Sequence, residues 1–139
     1  MTWTTTPFTS AQSAAQAYAR VDVETGVASA NALGLVLMLY DGVLKCLTKA
    51  GGHMERREIP AKGAALSHAL QIIDEGLSAS LNEADGGGVA AQLKELYAYM
   101  CRRIVVANLK NDPAILDEVS GLLRELRQAW AEIAKEHGA

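Results

Sequence analysis

Aromatic residues, cysteine, proline and charge of one sign are all scarce in this chain. Of 139 residues, 5% are aromatic, two are cysteine and three are proline. The 13 Lys and Arg residues against 16 Asp and Glu residues give a formal net charge of −3 with no basic block, which argues against a nucleic-acid binder. Because the two cysteines have neither metal-binding nor redox spacing, we expect free, buried thiols in a reducing compartment.

Long hydrophobic runs are missing as well. The most apolar run, 33–40, is far too short to span a bilayer. The first basic residue is Arg20, and the residues before it are rich in Thr, Ser and Gln, which is atypical of a signal peptide. The sequence therefore predicts a cytoplasmic protein that does not insert into a membrane.

Alanine and leucine dominate the residues that are present. The chain holds 24 Ala and 17 Leu, and half of its residues are hydrophobic. Both are strong helix formers, whereas proline, the strongest helix breaker, is rare. The length suits one domain with a core of its own. Composition alone predicts an all-α protein.

Four stretches with apolar residues at helical spacing predict helices at about 31–50, 60–82, 88–110 and 113–136. Each has about 20 residues, or roughly 30 Å of helix. Four rods of equal length joined by short loops predict an antiparallel four-helix up-down bundle. The expected inward stripes are Leu33, Leu37, Tyr40, Leu44 and Leu47; Leu66, Leu70, Ile73, Leu77 and Leu81; Leu93, Leu96, Met100, Ile104 and Ala107; and Leu116, Val119, Leu122, Leu126, Trp130 and Ile133.

Turn and cap residues set the expected helix ends. Asn31 is a good N-cap for the first helix, and Gly51-Gly52 predicts its C-terminal stop. Pro60 suits the first turn of the second helix, and residues 82–88, with three consecutive glycines, predict a turn. In Asp112-Pro113, the aspartate predicts an N-cap and the proline the first residue of the fourth helix.

The N-terminal part differs from the rest. Residues 1–16 predict a flexible or loosely docked segment, followed by a single domain over residues 17–139. A short helix over 11–19 has Tyr18 as its only large apolar side chain, so it needs another surface to dock on. Residues 20–29 predict an extended connector.

The polar residues favour binding over catalysis. No Glu-x-x-His pair is available for a metal in the bundle, and 86–88 lacks the Gly-Lys-Ser/Thr ending of a phosphate loop. An all-α enzyme would need polar groups on the inward stripes, which are nearly all aliphatic. Asp41 could be a functional carboxylate, but we favour a solvent-facing group or a polar partner for a neighbouring tyrosine hydroxyl or helix end. We interpret Arg102 and Arg103 as a solvated face. We predict a protein that is not an enzyme and binds neither metal nor cofactor.

The first long helix has more apolar residues than one core stripe needs. Residues 35–39 are Leu, Val, Leu, Met and Leu, and at about 100° per residue they cover the whole circumference of the helix. The spare face could be covered by the N-terminal segment, by a second copy of the chain, or by a partner helix in a groove. The alternative is that this helix lies more centrally than the others.

Three blocks, in the same order and with matching loop sizes, resemble the FliS family, the cytoplasmic flagellar secretion chaperones of flagellin. The first runs from Ala17-Tyr18 to the Met-Leu-Tyr-Asp-Gly of 38–42. The second, 87–108, contains Gly-Gly-x-Ala, Leu-Tyr-x-Tyr-Met and Ala-Asn, and the third spans 118–130. The resemblance covers about residues 17–135. It departs from the family at the start of the first helix, where Asn-Ala replaces a frequent Ser-Pro, and in a longer N-terminus.

The resemblance implies a four-helix bundle with an N-terminal cap segment. It implies binding of the disordered C-terminal region of flagellin, which prevents premature polymerisation, and delivery to the export gate of the flagellar type III apparatus. The residues alone leave open a homo-oligomeric all-α structural protein without a flagellin client, and weak self-association of the free chain. The candidate cap residues are Tyr18, Val21 and Val23, and the candidate partner-binding residues are Leu35, Leu39, Tyr40, Val43, Tyr97, Ile104, Asn108 and Leu123.

Overall fold

In the computed structural model, which describes residues 30–81 and 83–136, every regular element is a helix. This confirms the all-α class and the four-helix bundle predicted from the sequence. Helix α1 spans Ala30–Glu55, α2 spans Ile59–Gln71 and continues as a π-helical segment over Ile72–Ser78, α3 spans Glu83–Lys110 and α4 spans Pro113–Glu136.

The helices form a four-sided bundle. Helix α1 packs against α2, the π-helical segment and α4, and α3 packs against the same three elements. In the described residues, the Cα atoms of α1 and α3 nowhere come within 8 Å of each other, so these two helices lie on a diagonal. Helices α1 and α2 are antiparallel, because Cys46 contacts His68 whereas Leu39, earlier in α1, lies against Gly76, later in the chain.

Helix α1 ends at a left-handed residue, not at the glycine pair Gly51-Gly52. Arg57 has a φ of 57°, and its N–H donates to the carbonyl of Met54 at 3.2 Å. The N–H of Glu58 donates to the carbonyl of His53 at 2.9 Å. These two bonds form a Schellman motif, which satisfies the last carbonyls of the helix. The expected end at residue 50 is corrected, because a glycine weakens a helix but ends it only where the backbone turns.

The connection between α3 and α4 has the same kind of stop. Asn111 has a φ of 52°, and the N–H of Asp112 donates to the carbonyl of Ala107 at 3.0 Å. Oδ1 of Asp112 then accepts the N–H of Ala114 at 3.0 Å, which caps α4 in front of Pro113. The N-cap and first residue predicted for the fourth helix are confirmed.

The second helix departs from a continuous α-helix. Pro60 lies in the first turn, as predicted. From Ile72 to Ser78 the helix widens to π geometry, in which hydrogen bonds run to the fifth residue. Ile73 and Leu77 are four residues apart, share one face of the helix and are both buried.

Helix α3 starts at Glu83, five residues before the expected start at 88. Its backbone is helical through 86–88, which corrects the prediction of a turn over 82–88. Glycine costs about 1 kcal/mol relative to alanine inside a helix, and tertiary context often outweighs such a preference.

The core lies between the four helices and is almost wholly aliphatic. Every expected inward residue of α3 and α4 is buried, which confirms both stripes. On α1 and α2 the prediction is corrected in part, because Leu37, Leu44, Leu70 and Leu81 are only partly buried. On α1, Leu33, Tyr40 and Leu47 are buried as predicted, and the buried face also takes in Val43, Ala50 and Met54.

Candidate functional site

The most exposed apolar side chains near the start of α1 are those of Leu35 and Met38. They are 60% and 67% exposed, respectively, and three residues apart on one side of the helix. Leu39, next to them, is partly buried against the π-helical segment, where a Cβ added to Gly76 would lie 3.2 Å from Cδ2 of Leu39. The exposed apolar surface of α1 therefore adjoins its contact with the π-helical segment.

Two glycines allow this close contact. A Cβ on Gly42 would lie 3.3 Å from Cδ1 of Ile72, and one on Gly76 would press on Leu39. A larger residue at either position would force the neighbouring side chain to move. Gly42 is the glycine of the Met-Leu-Tyr-Asp-Gly block, so the sequence signature includes a packing requirement.

A second exposed apolar surface lies at the other end of the bundle. Leu109, near the end of α3, is 81% exposed, and Val105 one turn earlier and Ile59 at the start of α2 are exposed as well. Sequence reasoning missed Leu109 and Ile59. The available signal was that Leu109 falls outside the inward stripe that ends at Ala107.

The predicted partner-binding residues divide into two groups. Leu35 is exposed, and Leu39 and Asn108 are partly buried. The other five have at most 2% of their surface exposed and belong to the core, so in this arrangement they do not line a surface groove. A partner would reach them only after the helices had moved apart, and their part in binding stays a prediction. These five are Tyr40, Val43, Tyr97, Ile104 and Leu123.

The candidate cap residues Tyr18, Val21 and Val23 lie outside the described residues. Their role also stays a prediction.

Three buried polar groups meet at the centre of the bundle. The hydroxyls of Tyr40 on α1 and Tyr97 on α3 lie 2.5 Å apart and share a hydrogen bond. Nε1 of Trp130 on α4 donates to the Tyr40 hydroxyl at 3.1 Å. Burial, together with the neighbouring Tyr97, raises the pKa of Tyr40 well above its ordinary value, so the hydroxyl stays protonated. We name these residues the tyrosine cluster.

Ion pairs fasten α4 to its two neighbours. Arg127 donates from Nε and Nη2 to the two carboxylate oxygens of Asp41 on α1, at 2.6 and 3.1 Å. Asp41 is exposed, as one interpretation of the sequence expected, but its partner is Arg127 and not a tyrosine hydroxyl or a helix end. Glu118 accepts from Nε of Arg103 at 2.9 Å and from the Tyr99 hydroxyl, both on α3. Arg103 is therefore half-buried and paired, which corrects its assignment to a solvated face.

A buried lysine joins three helix ends. Lys62, in the first turn of α2, is 4% exposed, and its Nζ donates to the Asn108 carbonyl at 3.0 Å and to Oδ1 of Asn111 at 3.1 Å. Nδ2 of Asn111 donates in turn to the Met54 carbonyl of α1 at 3.4 Å. A cation at the end of α3 also interacts favourably with the helix dipole. Sequence reasoning missed Lys62, although it stands four residues before Leu66 on the inward stripe.

The two thiols are free, as the sequence predicted. Cys46 is buried, as expected, with its Sγ 3.5 Å from Nδ1 of His68. Cys101 is only half-buried, which corrects the expectation that both thiols are buried. Burial raises the pKa of both thiols, which disfavours the reactive thiolate.

The described residues form neither a metal-binding cluster nor a membrane-spanning helix. No cluster of three or more His, Cys, Asp or Glu side chains in the ranges 30–81 and 83–136 is arranged to hold a metal ion. No helix within the same ranges combines the length and the apolar character needed to cross a membrane.

Comparison with known proteins gives a consistent family match. A family model described as flagellar protein FliS matches residues 14–137. The chain is 46% identical over 119 residues to the flagellar secretion chaperone FliS of Salmonella typhimurium, covering 86% of this chain and 88% of the relative. It is 44% identical over 117 residues to the FliS of Escherichia coli, covering 84% and 86%, respectively. For the FliSB of Pseudomonas aeruginosa the identity is 42% over 124 residues, covering 89% and 98%.

Proposed function

Because the chain belongs to the FliS family of flagellar secretion chaperones, we propose that it binds the C-terminal region of flagellin in the cytoplasm, prevents premature polymerisation and delivers this client to the flagellar type III export gate. The observation that carries the proposal is the family match over residues 14–137. Exposed apolar side chains on α1 and α3 support a binding role. Catalysis is not part of the proposal.

The proposed binding couples folding to association. The client segment is disordered when free and folds into short helices on the apolar surface of the bundle. Ordering such a segment costs about 2–5 kcal/mol or more of the gross interaction energy, so the interface must be extended and largely apolar. The surfaces around Leu35 and Met38 and around Leu109 lie on different helices, and together they would give the client that extent.

The N-terminal segment completes the proposal. Tyr18, Val21 and Val23 supply apolar side chains that cover part of the client surface in the free chaperone. The client then displaces them. Exchange of one apolar cover for another keeps the surface shielded from water and makes release at the export gate possible.

Co-purification with flagellin tests the proposal. We expect the chain to retain full-length flagellin and to lose it when the C-terminal region of flagellin is deleted. The matched control is the same flagellin with a deletion in its central region, which should be retained. Equal recovery of the full-length and C-terminally truncated forms would contradict the proposal.

The competing function is a homo-oligomer that covers its spare apolar face with a second copy of itself. Sedimentation at micromolar concentration distinguishes the two functions. A monomer that forms a 1:1 complex with flagellin supports the chaperone function. A stable oligomer that does not bind flagellin supports the alternative.

A further inference from the structure

One exposed face of α1 changes character along its length. Leu35, Met38, Lys45 and Lys49 are all exposed and lie within a sector of about 80° around the helix axis. The N-terminal half of this face is apolar and the C-terminal half is cationic. We name these four residues the α1 stripe.

The apolar half of the α1 stripe adjoins further apolar side chains. Leu39 and Ile72, both partly buried, lie beside it along the contact between α1 and the π-helical segment. A partner seated on Leu35 and Met38 would therefore also reach part of the surface of these two side chains. This continuity distinguishes the face from an isolated exposed leucine, which needs no explanation.

Within the described residues, the cationic half has no acidic partner. Neither Lys45 nor Lys49 forms an ion pair with any residue in the described part of the chain. Asp41 stands four residues before Lys45, where an acid commonly pairs with a lysine on a helix. Both of its carboxylate oxygens are instead held by Arg127.

The two lysines also repel each other. Lys45 and Lys49 are four residues apart, a spacing at which like charges destabilise a helix. With no acid of the bundle paired to them, an external carboxylate would relieve this repulsion.

We propose that the α1 stripe binds an amphipathic helical segment of the client, with apolar residues over Leu35 and Met38 and with Asp or Glu residues over Lys45 and Lys49. The inference rests on the proposed function and adds the chemical pattern and direction of one client helix. From residue 35 to residue 49 the face is about 21 Å long, which corresponds to a partner helix of about four turns. Apolar contact supplies the affinity, and the charged end fixes the direction in which the helix lies.

The test compares three double variants of the full chain for binding to full-length monomeric flagellin from the same bacterium. The first is Leu35→Ala with Met38→Ala, and the second is Lys45→Glu with Lys49→Glu. The matched charge control is Lys94→Glu with Arg124→Glu, which makes the same change in net charge at exposed positions of α3 and α4. All six positions are exposed, so we expect unchanged melting temperatures.

We expect each variant of the α1 stripe to weaken flagellin binding about tenfold in 50 mM NaCl, and the control to weaken it less than about threefold. In 500 mM NaCl the loss caused by the lysine reversal should shrink to about threefold or less, because salt screens exposed charges. The loss caused by the apolar variant should persist.

The contrary outcomes are distinct. The inference is wrong and the proposed function stands if flagellin binds the unaltered chain and if the affinities of both stripe variants lie within threefold of it. The same conclusion follows if the charge control loses as much affinity as the lysine reversal. If the unaltered chain is a dimer that Met38→Ala makes monomeric, a second copy occupies the stripe and the inference is wrong. If flagellin does not bind the unaltered chain at all, the inference and the proposed function both fail.

Discussion

At the scale of single residues, the tyrosine cluster is, like the buried Lys62, a polar contact in a mostly aliphatic interior. It joins α1 to α3, whose backbones lie too far apart to touch, and ties both to α4. The rings of Tyr40 and Tyr97 are tilted by 57° with centroids 6.5 Å apart, so the two residues meet at their hydroxyl ends rather than by stacking. The hydroxyl hydrogen bond and the tilted ring contact therefore occur together in this pair.

Tyr40→Phe tests the tyrosine cluster. The change keeps the ring but removes the acceptor of the Trp130 N–H and a hydrogen-bond partner of Tyr97. We expect a loss of about 1–3 kcal/mol in the free energy of unfolding, because a lost bond in a buried site is not replaced by water. Urea denaturation followed by circular dichroism measures it.

The matched control is Tyr99→Phe. Its hydroxyl donates to Glu118 at a partly exposed site, so water can replace the lost bond. We expect a loss of about 1 kcal/mol or less. Equal stability of Tyr40→Phe and the unaltered chain would mean that the cluster contributes nothing to folding.

At the scale of elements, the π-helical segment is the part of the bundle where packing decides local geometry. Within this segment, Gly76 lies against Leu39 of α1. Gly63, in the preceding α-helix, has no atom within 4 Å of the place where a Cβ would stand. The two glycines thus offer the same substitution in crowded and open surroundings.

Alanine at these two positions should have opposite effects. Gly63→Ala should stabilise the chain by about 0.5–1 kcal/mol, because alanine favours a helix and nothing obstructs its methyl group. Gly76→Ala should destabilise it by about 1 kcal/mol, since overpacking forces neighbouring side chains off their preferred positions. Chemical denaturation of both variants provides the comparison.

A double variant separates the effect of steric crowding from that of helix propensity. Adding Leu39→Ala to Gly76→Ala removes the obstructing side chain, so the two losses should not add. Additive losses, or equal stabilisation by both alanines, would contradict the role assigned to this contact.

The sequence predicted the elements better than their ends. Periodicity was sufficient for α3 and α4, whose stripes are all buried, because each of these helices turns one clear apolar face to the core. Glycine signals failed twice, at 51–52 and at 86–88, since the actual stop of α1 is Arg57 in a left-handed conformation that no residue preference would suggest. The π-helical segment was not predicted, because its apolar residues keep a spacing that also fits an α-helix.

The candidate site was predicted less well than the fold. A helix apolar on all sides indicates that something covers it but not which side chains remain outside. Five of the eight candidates are buried because they lie on the core-facing sides of α1, α3 and α4, while Met38, three residues from Leu35, stays exposed. The hydrogen bonds of Lys62 were not predicted, because their acceptors lie at the end of α3, which only the fold brings next to α2.

At the scale of the whole molecule, the proposed exchange of the N-terminal cap for the client predicts a pattern of hydrogen exchange. Binding of flagellin should lower the protection of amides over 14–24 and raise that of α1 around 35–39. Local opening and closing of such segments is what amide exchange reports. Mass spectrometry of peptides from the free chain and the complex would measure both regions.

A control region makes this comparison internal. The core of α4 around Leu122 and Leu126 should keep its protection in both states, because it is buried away from the proposed exchange. Unchanged protection over 14–24 on client binding would show that the cap stays in place.

The tyrosine pair also bears on which bundle the chain can form. Stripes built from leucine and alanine fit one another in several registers, and a shift of α1 by one turn, about 5.4 Å, would still bury aliphatic groups. Such a shift would bring Val36 or Leu44 opposite Tyr97 and separate the two hydroxyls. A single buried polar contact can select one alignment among near-equal competitors, as an asparagine does in some coiled coils. The hydroxyl pair thus favours one alignment of α1 against α3 in a largely repetitive interior.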